Sequence, residues 1–188
     1  MRILEKPIEK YPVWIRLILR GQKRKYGSPL QPTLLWGRSP RLQFGLQTLY
    51  SAIDRKTSPI EPALRSMVTV LVSQINHCSF CIDVNTATLQ KRGVSTEKIL
   101  DLKNYKSSSH YSEKEKAALK YAEAITKSDQ KVDDKLFEEV RRHFSEDDII
   151  ELTALISYQN MSSKFNSALE VPAQGFCTIP SKKEESTK

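Results

Sequence analysis

Apolar residues recur at intervals of three and four along most of this 188-residue chain. The clearest stripe contains Leu64, Met67, Val68, Leu71, Val72 and Ile75. Residues spaced in this way lie on one face of an α-helix, so the stripe predicts a helix. Ser58, Pro59 and Glu61 precede it in the order of a capped helix start, and we expect the helix to begin there.

A second helix is expected directly after the first, from about Cys78 to Arg92. Asn76 and His77 lie between the two and are expected to break the first helix. Gly93 follows the second helix, at the position just past the last turn where glycine is favoured. The chain therefore predicts two consecutive helices with a short turn between them.

Polar residues suited to helix N-caps precede three later apolar segments: Ser112 with Glu115, Asp133 or Asp134, and Ser145. The last of these helices is expected to stop before Pro172. Alternating strand patterns and hairpin dipeptides are scarce. A chain of 188 residues can bury a sizeable core. The pattern as a whole predicts an all-α fold, a single-domain multi-helix bundle.

The positive charge of the chain is concentrated at its N-terminus. Residues 1–41 contain ten Lys or Arg and two Glu, whereas residues 42–188 hold 20 basic and 20 acidic side chains. Such a basic amphipathic stretch can contact an anionic membrane or nucleic acid. We favour packing against a neighbouring subunit, because the apolar run is too short and too charged to span a bilayer. That run consists of Trp14, Ile15, Leu17, Ile18 and Leu19.

These patterns divide the chain into three segments. We expect a basic N-terminal arm over residues 1–38, a helical domain over residues 39–172 and a C-terminal tail over residues 173–188. The tail is expected to be at least partly disordered, because residues 181–188 are polar and charged. The N-terminal apolar run lacks the features of a signal peptide, so we expect a cytoplasmic protein whose thiols are kept reduced.

Cys78 and Cys81 are two thiols three positions apart at the start of a predicted helix. Residues at i and i+3 face the same side of a helix, about 5 to 6 Å apart, which a disulfide can close. In the first turn, free backbone N–H groups and the helix dipole favour the thiolate form. The spacing therefore predicts a redox-active pair, although two buried packing residues could be spaced in the same way.

Half of a zinc site is another interpretation of this pair. Zinc takes about four ligands, usually two such pairs or one pair with suitably spaced histidines. Cys177 stands alone near the C-terminus, and the histidines are scattered at His77, His110 and His143. No metal is therefore expected at the pair.

The sequence around the pair, SQINHCSFCIDVNTA from Ser73 to Ala87, resembles the core of the carboxymuconolactone decarboxylase superfamily. It is most similar to the alkylhydroperoxidase D-like, peroxidase-related branch. Later segments fit the same family in order, among them SEKEKAALKYAEA from Ser112 and KFNSAL from Lys164. The resemblance extends over about residues 40–172 and implies a helical bundle of the alkylhydroperoxidase D-like type.

The peroxidase motif of that family is E-x₁₁-C-x₂-C-x₃-H, and this chain departs from it twice. Cys78 and Cys81 match the cysteines, but Asn85 stands at the histidine position and Ser66 at the glutamate position. The resemblance implies that Cys81 attacks the peroxide and Cys78 resolves the sulfenic acid. Asn85 shares a helix face with Cys81 and can hydrogen-bond a sulfur, but it cannot take a proton at neutral pH. Weaker activity by the family mechanism is therefore expected.

Other groups could replace the missing proton relay. Asp83 lies between Cys81 and Asn85, but position i+2 of a helix points away from Cys81, so we expect a surface carboxylate. Asn160 and Asn166 are polar residues in an otherwise apolar helix, and they either wall the active site or face water. Three residues of the last predicted helix could approach the thiols: Glu151, Tyr158 and Asn160.

With the resemblance, these residues predict an enzyme, a thiol-dependent, peroxidase-like oxidoreductase that reduces hydroperoxides through a Cys78–Cys81 redox disulfide. The resemblance also implies a homo-oligomer (a trimer or hexamer), an external dithiol as reductant, and no metal or organic cofactor. A general thiol–disulfide oxidoreductase, with Cys78 as nucleophile, is one alternative. A non-enzymatic redox-sensing or scaffold protein, whose basic arm binds a partner, is the other.

Overall fold

Helices make up all of the regular secondary structure in the computed structural model, which describes residues 1–179. Single turns of 3₁₀-helix lie at Ile8–Lys10 and Leu102–Asn104. The predicted all-α fold is confirmed over the described residues. The α-helices, in chain order, are α1 (Val13–Tyr26), α2 (Gln31–Trp36), α3 (Pro40–Ile53), α4 (Pro62–Ile75), α5 (Ser79–Lys91), α6 (Thr96–Leu100), α7 (Glu113–Thr126), α8 (Asp134–Arg141) and α9 (Glu146–Ala168).

α4 lies at the centre of the bundle, with α5, α7 and α9 packed around it. Val68, Val70 and Val72 of α4 are all fully buried. Successive residues of a helix point about 100° apart, so the burial of these three means that α4 is covered on several faces. Burying one such side chain contributes about 1.5–3 kcal/mol. α4 is therefore a well-anchored support for the helix that follows it, α5.

The start of α4 differs from the prediction. α4 begins at Pro62 with Glu61 as its N-cap, rather than at Pro59 with Ser58 as N-cap. A helix capped by Ser58 would place Pro62 at its fourth position, where a backbone N–H makes the first intrahelical bond. Proline has no N–H and suits the first helical position instead. The Ser58 hydroxyl accepts the N–H of Ile60 at 3.4 Å.

The other predicted helix starts are confirmed. Ser112 and Glu115 form a capping box at the start of α7. Asp133 caps α8 through its side chain. Ser145 caps α9, whose first turn is acidic, and α9 ends before Pro172 as expected. Capping is a local interaction, which is why the sequence alone indicates these positions.

The turn between α4 and α5 lies where the sequence predicts it. Asn76 is the C-cap of α4, and His77 takes a left-handed conformation with a φ of 51°. The N–H of Cys78 then donates to the carbonyl of Ser73 at 3.0 Å. At the other end of α5, Gly93 has the positive φ of 81° that favours glycine after a helix. The turn places Cys78 directly before the first turn of α5.

The N-terminal segment packs against its own chain. Ile15 and Leu19 of α1 are buried in a cluster with Tyr11 and Leu34. The expected role of Ile15 and Leu19 in contacting a neighbouring subunit is therefore wrong, because their surface is already covered. Leu17, on the other side of α1, is 57% exposed.

α2 joins this segment to the helix that carries the thiols. Leu35 of α2 packs with Cys78, Phe80 and Val171 in one apolar cluster. Residues 1–38, which the sequence analysis describes as an arm, therefore contact the first turn of α5.

The chain continues beyond α9 along the same side of the bundle. We call residues 171–179 the C-terminal strap. The predicted tail is thus described over residues 173–179, and its remainder, including residues 181–188, lies outside the described residues. Within residues 1–179, no helix is both long enough and apolar enough to cross a membrane.

Candidate active site

Cys78 and Cys81 lie together at the N-terminus of α5. Cys78 is the N-cap, and its Sγ accepts the backbone N–H of Cys81 at 3.2 Å. Both are free thiols, and their residues are only 1% and 3% exposed. The two cysteines therefore lie within one helical turn, in surroundings that exclude most water.

Asn166 of α9 brings a polar group to this pair. Its Nδ2 donates to the Sγ of Cys81 at 3.3 Å, and the residue is 1% exposed. The Oδ1 of the same amide has no hydrogen-bond partner among the described residues. Of the two roles that the sequence left open for Asn166, the structure shows the first: it walls the site. A hydrogen bond to sulfur favours the thiolate over the thiol.

The two thiols interact directly, and the interaction shifts their pKa values in opposite directions. Contact with the Cys81 sulfur lowers the pKa of Cys78, and backbone N–H groups add to this effect against the opposing effect of burial. Contact with Cys78 raises the pKa of Cys81, and burial raises it further. The pair therefore carries one negative charge at first ionisation. That charge rests on Cys78, because Cys78 accepts the helix N–H.

A cavity of about 580 Å³ opens onto Cys81. Residues of α1, α2, α3, α5 and α9 form its walls. Cys78 does not line the cavity, so Cys81 is the sulfur that a small molecule in it would meet first. Four residues of α3 line the cavity, at the spacing of one helix face: Gln43, Leu46, Gln47 and Tyr50.

Asn85 lines the cavity but does not bond either sulfur. Its Nδ2 donates to the Oγ of Ser73 at 3.1 Å, and the Nε2 of Gln159 donates to the same oxygen at 3.0 Å. Ser73 Oγ in turn donates to the carbonyl of Thr69 at 2.5 Å. The expectation that Asn85 can hydrogen-bond a sulfur is not met, because Ser73 takes its amide.

Ser66 lies on α4, away from the thiols. It is 2% exposed, and its Oγ accepts from Nη1 of Arg92 at 2.9 Å. Both oxygens of Asp54 accept from Nη2 of Arg92, at 2.8 and 3.0 Å, and Asp54 also pairs with Arg65 at 3.1 Å. Ser66 borders a separate cavity of about 50 Å³, which Asn85 also lines. An ion-pair cluster therefore surrounds the residue at the family's glutamate position.

Asp83 corrects a second expectation. It is 7% exposed, and its carboxylate accepts the backbone N–H groups of Gln174 at 2.8 Å and Cys177 at 2.7 Å. The side chain does point away from Cys81, as its position predicts, but the C-terminal strap covers that side of α5. Phe176 of the strap also packs edge-on against Phe80, with ring centroids 6.4 Å apart.

The remaining candidates of α9 have different places. Glu151 pairs with Arg55 at 2.8 Å, and Asn160 bonds Asn76 and Thr126. These two residues do not line the cavity. Tyr158 does line it, as the sequence analysis considered.

Gln159 is a cavity residue that the sequence analysis missed. Its Nε2 holds Ser73, and it interacts with Cys81, where it opposes the rise of the Cys81 pKa. Gln159 lies seven positions before Asn166 on α9. Residues seven apart share a helix face, so this spacing is a signal that could have grouped the two amides.

Comparison with known proteins identifies the family of the chain. The carboxymuconolactone decarboxylase family profile matches residues 40–124. Over 177 residues the chain is 37% identical to the uncharacterized protein YnjA of Escherichia coli. The alignment covers 94% of this chain and 97% of YnjA. The chain belongs to the carboxymuconolactone decarboxylase family, in the superfamily of the alkylhydroperoxidase D-like proteins.

Two solved structures show the same fold. One is an alkylhydroperoxidase AhpD core, an uncharacterized peroxidase-related protein from Ralstonia eutropha, with a TM-score of 0.82, 20% identity and 93% of each chain covered. The other is the debrominase Bmp8, with a TM-score of 0.77, 24% identity, and coverage of 87% of this chain and 88% of Bmp8. The predicted alkylhydroperoxidase D-like bundle is confirmed.

Proposed function

We propose that this protein is a thiol-dependent peroxidase that reduces hydroperoxides through a Cys78–Cys81 dithiol/disulfide cycle. One observation carries the proposal: Cys81 lines a cavity, whereas Cys78, whose Sγ accepts the backbone N–H of Cys81 at 3.2 Å, does not line it. A reacting thiol must meet the substrate, and a resolving thiol must meet only its partner. Membership of a family with peroxidase-related relatives of the same fold supports the proposal.

Cys78 itself supplies the base that the family motif lacks here. Its thiolate is favoured by the N–H of Cys81 and by contact with the Cys81 thiol. When Cys81 attacks, its proton moves to Cys78, and the negative charge moves to the sulfur that faces the cavity. Asn166 stabilises that charge through the hydrogen bond to Cys81 Sγ. A buried acceptor next to the nucleophile is the usual arrangement for activating one.

The first half of the cycle then balances in electrons and protons. The Cys81 thiolate attacks the terminal oxygen of the peroxide, the O–O bond breaks, and Cys81 becomes a sulfenic acid. The leaving alkoxide takes the proton held by Cys78 and departs as an alcohol. Cys78 is thereby returned to its thiolate form, ready for the next step.

In the second half, Cys78 thiolate attacks the Cys81 sulfenic acid. The S–S bond forms and hydroxide leaves, which a proton from solvent converts to water. Peroxide has been reduced by two electrons and the dithiol oxidised by two. An external dithiol then reduces the disulfide by exchange and restores both thiols.

Turnover with purified protein tests this cycle. Cumene hydroperoxide and dithiothreitol should be consumed by the wild type and by Cys177→Ser, whose changed sulfur lies outside the pair. Cys81→Ser should lose all turnover above background. Cys78→Ser should form a sulfenic acid once, trapped by dimedone and seen by mass spectrometry, without continuing. The proposal is overturned if the folded wild type keeps both thiols in the presence of peroxide.

The pH dependence tests the role of Cys78 as base. Since its pKa is lowered, single-turnover oxidation of the wild type should reach its plateau below the pH of about 8.5 at which an ordinary thiol ionises. In Cys78→Ser, sulfenic acid formation must await ionisation of Cys81, whose pKa is raised by burial as well as by its partner. The profile should therefore move to higher pH. An unmoved profile would mean that another group is the base.

A general thiol–disulfide oxidoreductase is the second candidate, because the lowered pKa of Cys78 would suit a nucleophile. The 1% exposure of Cys78 opposes it, since a protein disulfide would have to reach a covered sulfur. Reduction of insulin by dithiothreitol separates the two: we expect no acceleration. The homo-oligomer implied by the resemblance stays a prediction, which light scattering can test.

A further inference from the structure

The cavity beside Cys81 is much larger than a small peroxide needs. Its volume is about 580 Å³, within the range of about 300–1,000 Å³ that is usual for organic ligands. One water molecule takes a share of about 30 Å³ in the liquid, and hydrogen peroxide is not much larger. The space therefore fits an organic molecule.

Aromatic rings and amides line the cavity, and charge is scarce. Among the described lining residues, Lys25 is the one charged side chain, and no carboxylate is present. The aromatic lining residues are Tyr26, Trp36, Tyr50, Phe80 and Tyr158. The amide lining residues are Gln22, Gln43, Gln47, Asn85, Gln159 and Asn166. Aromatic walls favour an aromatic guest, and neutral amides favour uncharged hydrogen-bonding groups.

Some of these amides already have protein partners. Gln22 donates to Thr33 at 2.8 Å and accepts from the N–H of Leu30 at 3.1 Å, while Gln159 donates to Ser73. Gln43 differs from them. It is 3% exposed, and its buried Oε1 has no hydrogen-bond partner within residues 1–179.

Trp36 is a second unpartnered group on the same cavity. Its Nε1 is buried without an acceptor among the described residues. The indole stacks on Phe165, with ring centroids 3.7 Å apart, and Phe165 belongs to the apolar cluster of Cys78 and Cys81. Buried polar groups normally have partners, so an indole donor and an unbonded amide oxygen on one cavity indicate a ligand that supplies them.

We infer that this cavity binds an uncharged aromatic molecule with a hydrogen-bonding substituent, read by Gln43 and Trp36. The inference rests on the proposed function, because it makes such a molecule the carrier of the hydroperoxide that Cys81 reduces. The ring lies among the aromatic walls and the polar substituent lies at Gln43, on the opposite helix from the thiols. A small inorganic peroxide would leave these groups unused.

Binding can be measured without turnover in the Cys81→Ser variant. The chain has two tryptophans and seven tyrosines. Trp14→Phe leaves Trp36 as the only tryptophan, which can be excited at wavelengths that tyrosine does not absorb, and it keeps an aromatic ring next to Phe44. Benzamide, benzoate and ethylbenzene are the probes. Benzamide should quench Trp36 saturably, with an affinity at least about tenfold above that of ethylbenzene, as expected from its hydrogen bonds to Gln43 and Trp36. Benzoate should bind more weakly than benzamide.

Gln43→Leu provides the decisive variant, and Thr48→Val is its control. Thr48 lies on an exposed face of α3 and does not line the cavity. Benzamide affinity should fall about three- to tenfold in Gln43→Leu, because one hydrogen bond is lost while the Trp36 donor remains. It should stay unchanged in Thr48→Val, and ethylbenzene affinity should be unchanged in both. Gln43→Met, with an unbranched chain of similar length, serves if the leucine variant does not fold.

Three outcomes would overturn the inference. Equal binding of benzamide and ethylbenzene would show that the cavity does not recognise a polar substituent. Tighter binding of benzoate than of benzamide would make Lys25 the recognition residue. Absence of saturable quenching would show that the cavity does not bind these aromatic molecules. In the wild type, kcat/KM should be higher for cumene hydroperoxide than for tert-butyl hydroperoxide. Peroxidase activity without that preference defeats the substrate class and leaves the proposed function standing.

Discussion

The two sides of the cavity differ in how firmly they are held. On one side, Cys81 and Asn166 are almost fully buried and joined by a hydrogen bond. On the other side, α3 presents large apolar residues to solvent, with Leu42 58%, Phe44 65% and Leu49 44% exposed. Elements with few buried contacts open at lower free energy than the core. The thiol pair is therefore held in the core, whereas α3 forms a less firmly held wall of the cavity. Under the proposed function, the core would hold the reacting groups and α3 would contribute to substrate selection.

α1 does not fit this division, because one of its faces is basic and exposed while the other packs against the rest of the protein. Its lining residues include Gln22 and Lys25, so residues 1–38 supply part of the cavity wall. In the sequence, the positive charge of this segment and the limit of the family resemblance at about residue 40 set it apart from the helical domain. Charge describes the solvent face of α1, whereas Ile15 and Leu19 decide where the helix packs.

The largest expected effect tests whether α1 is integral. Ile15→Ala removes a side chain with 0% exposure, and such truncations cost about 2–5 kcal/mol of unfolding free energy. Leu17→Ala is the matched control on the same helix, where 57% exposure predicts a change within about 0.5 kcal/mol. Urea denaturation measures both. Equal costs for the two would show that α1 does not hold its place as described.

Asp83→Asn tests how stably the cavity wall that carries the thiols is held in place, and it should have the next largest effect. The carboxylate accepts two backbone N–H groups of the strap, and an amide offers only one acceptor oxygen. A buried donor left without a partner costs about 1–3 kcal/mol. The melting temperature should fall. Asp134→Asn, on the exposed first turn of α8, should leave it nearly unchanged.

Asn166→Ala tests whether the core side controls the chemistry. Loss of a hydrogen bond to a charged sulfur, worth about 1.5–3 kcal/mol, should slow oxidation of Cys81 about 10- to 100-fold. Asn160→Ala removes an amide of the same helix that bonds Asn76 and Thr126 instead. That variant should lose stability but keep its oxidation rate. The interpretation fails if both variants slow the reaction equally.

The smallest effect is expected from restoring the family's relay positions. Asn85→His places an imidazole on the cavity wall, but Ser73 is close enough to bind it, so the gain in turnover should be less than about tenfold. Adding Ser66→Glu should contribute little, because Arg92 would pair with the new carboxylate. Steady-state kinetics of the single and double variants measure this. A double variant far faster than Asn85→His would mean that Ser66 is coupled to the thiols after all.

Local signals in the sequence were sufficient for most of the fold and for the thiol pair. Capping residues such as Ser112 and Ser145, and the stripe on α4, depend on neighbours within one or two turns. The predicted start of α4 was wrong, because the capping motif at Ser58 competes with Pro62. The missing N–H of proline is the stronger restriction.

The rest of the site depends on contacts between residues distant in sequence. Gln43 and Asn166 belong to the same cavity although they are separated by most of the chain. Asp83 was expected on the surface because its own helix leaves it there, and only the returning strap buries it. Periodicity gives the direction of a side chain relative to its helix, but not what packs against that helix.

The placement of both thiols within a single helical turn has a consequence for resistance to damage. A sulfenic acid on Cys81 can be attacked by Cys78 within the molecule or by a second peroxide from solution, which yields a sulfinic acid. Because the Sγ of Cys78 already accepts the backbone N–H of Cys81, its effective concentration at Cys81 far exceeds any peroxide concentration in solution. The wild-type protein should therefore survive excess peroxide as a disulfide, whereas Cys78→Ser should accumulate irreversibly oxidised Cys81.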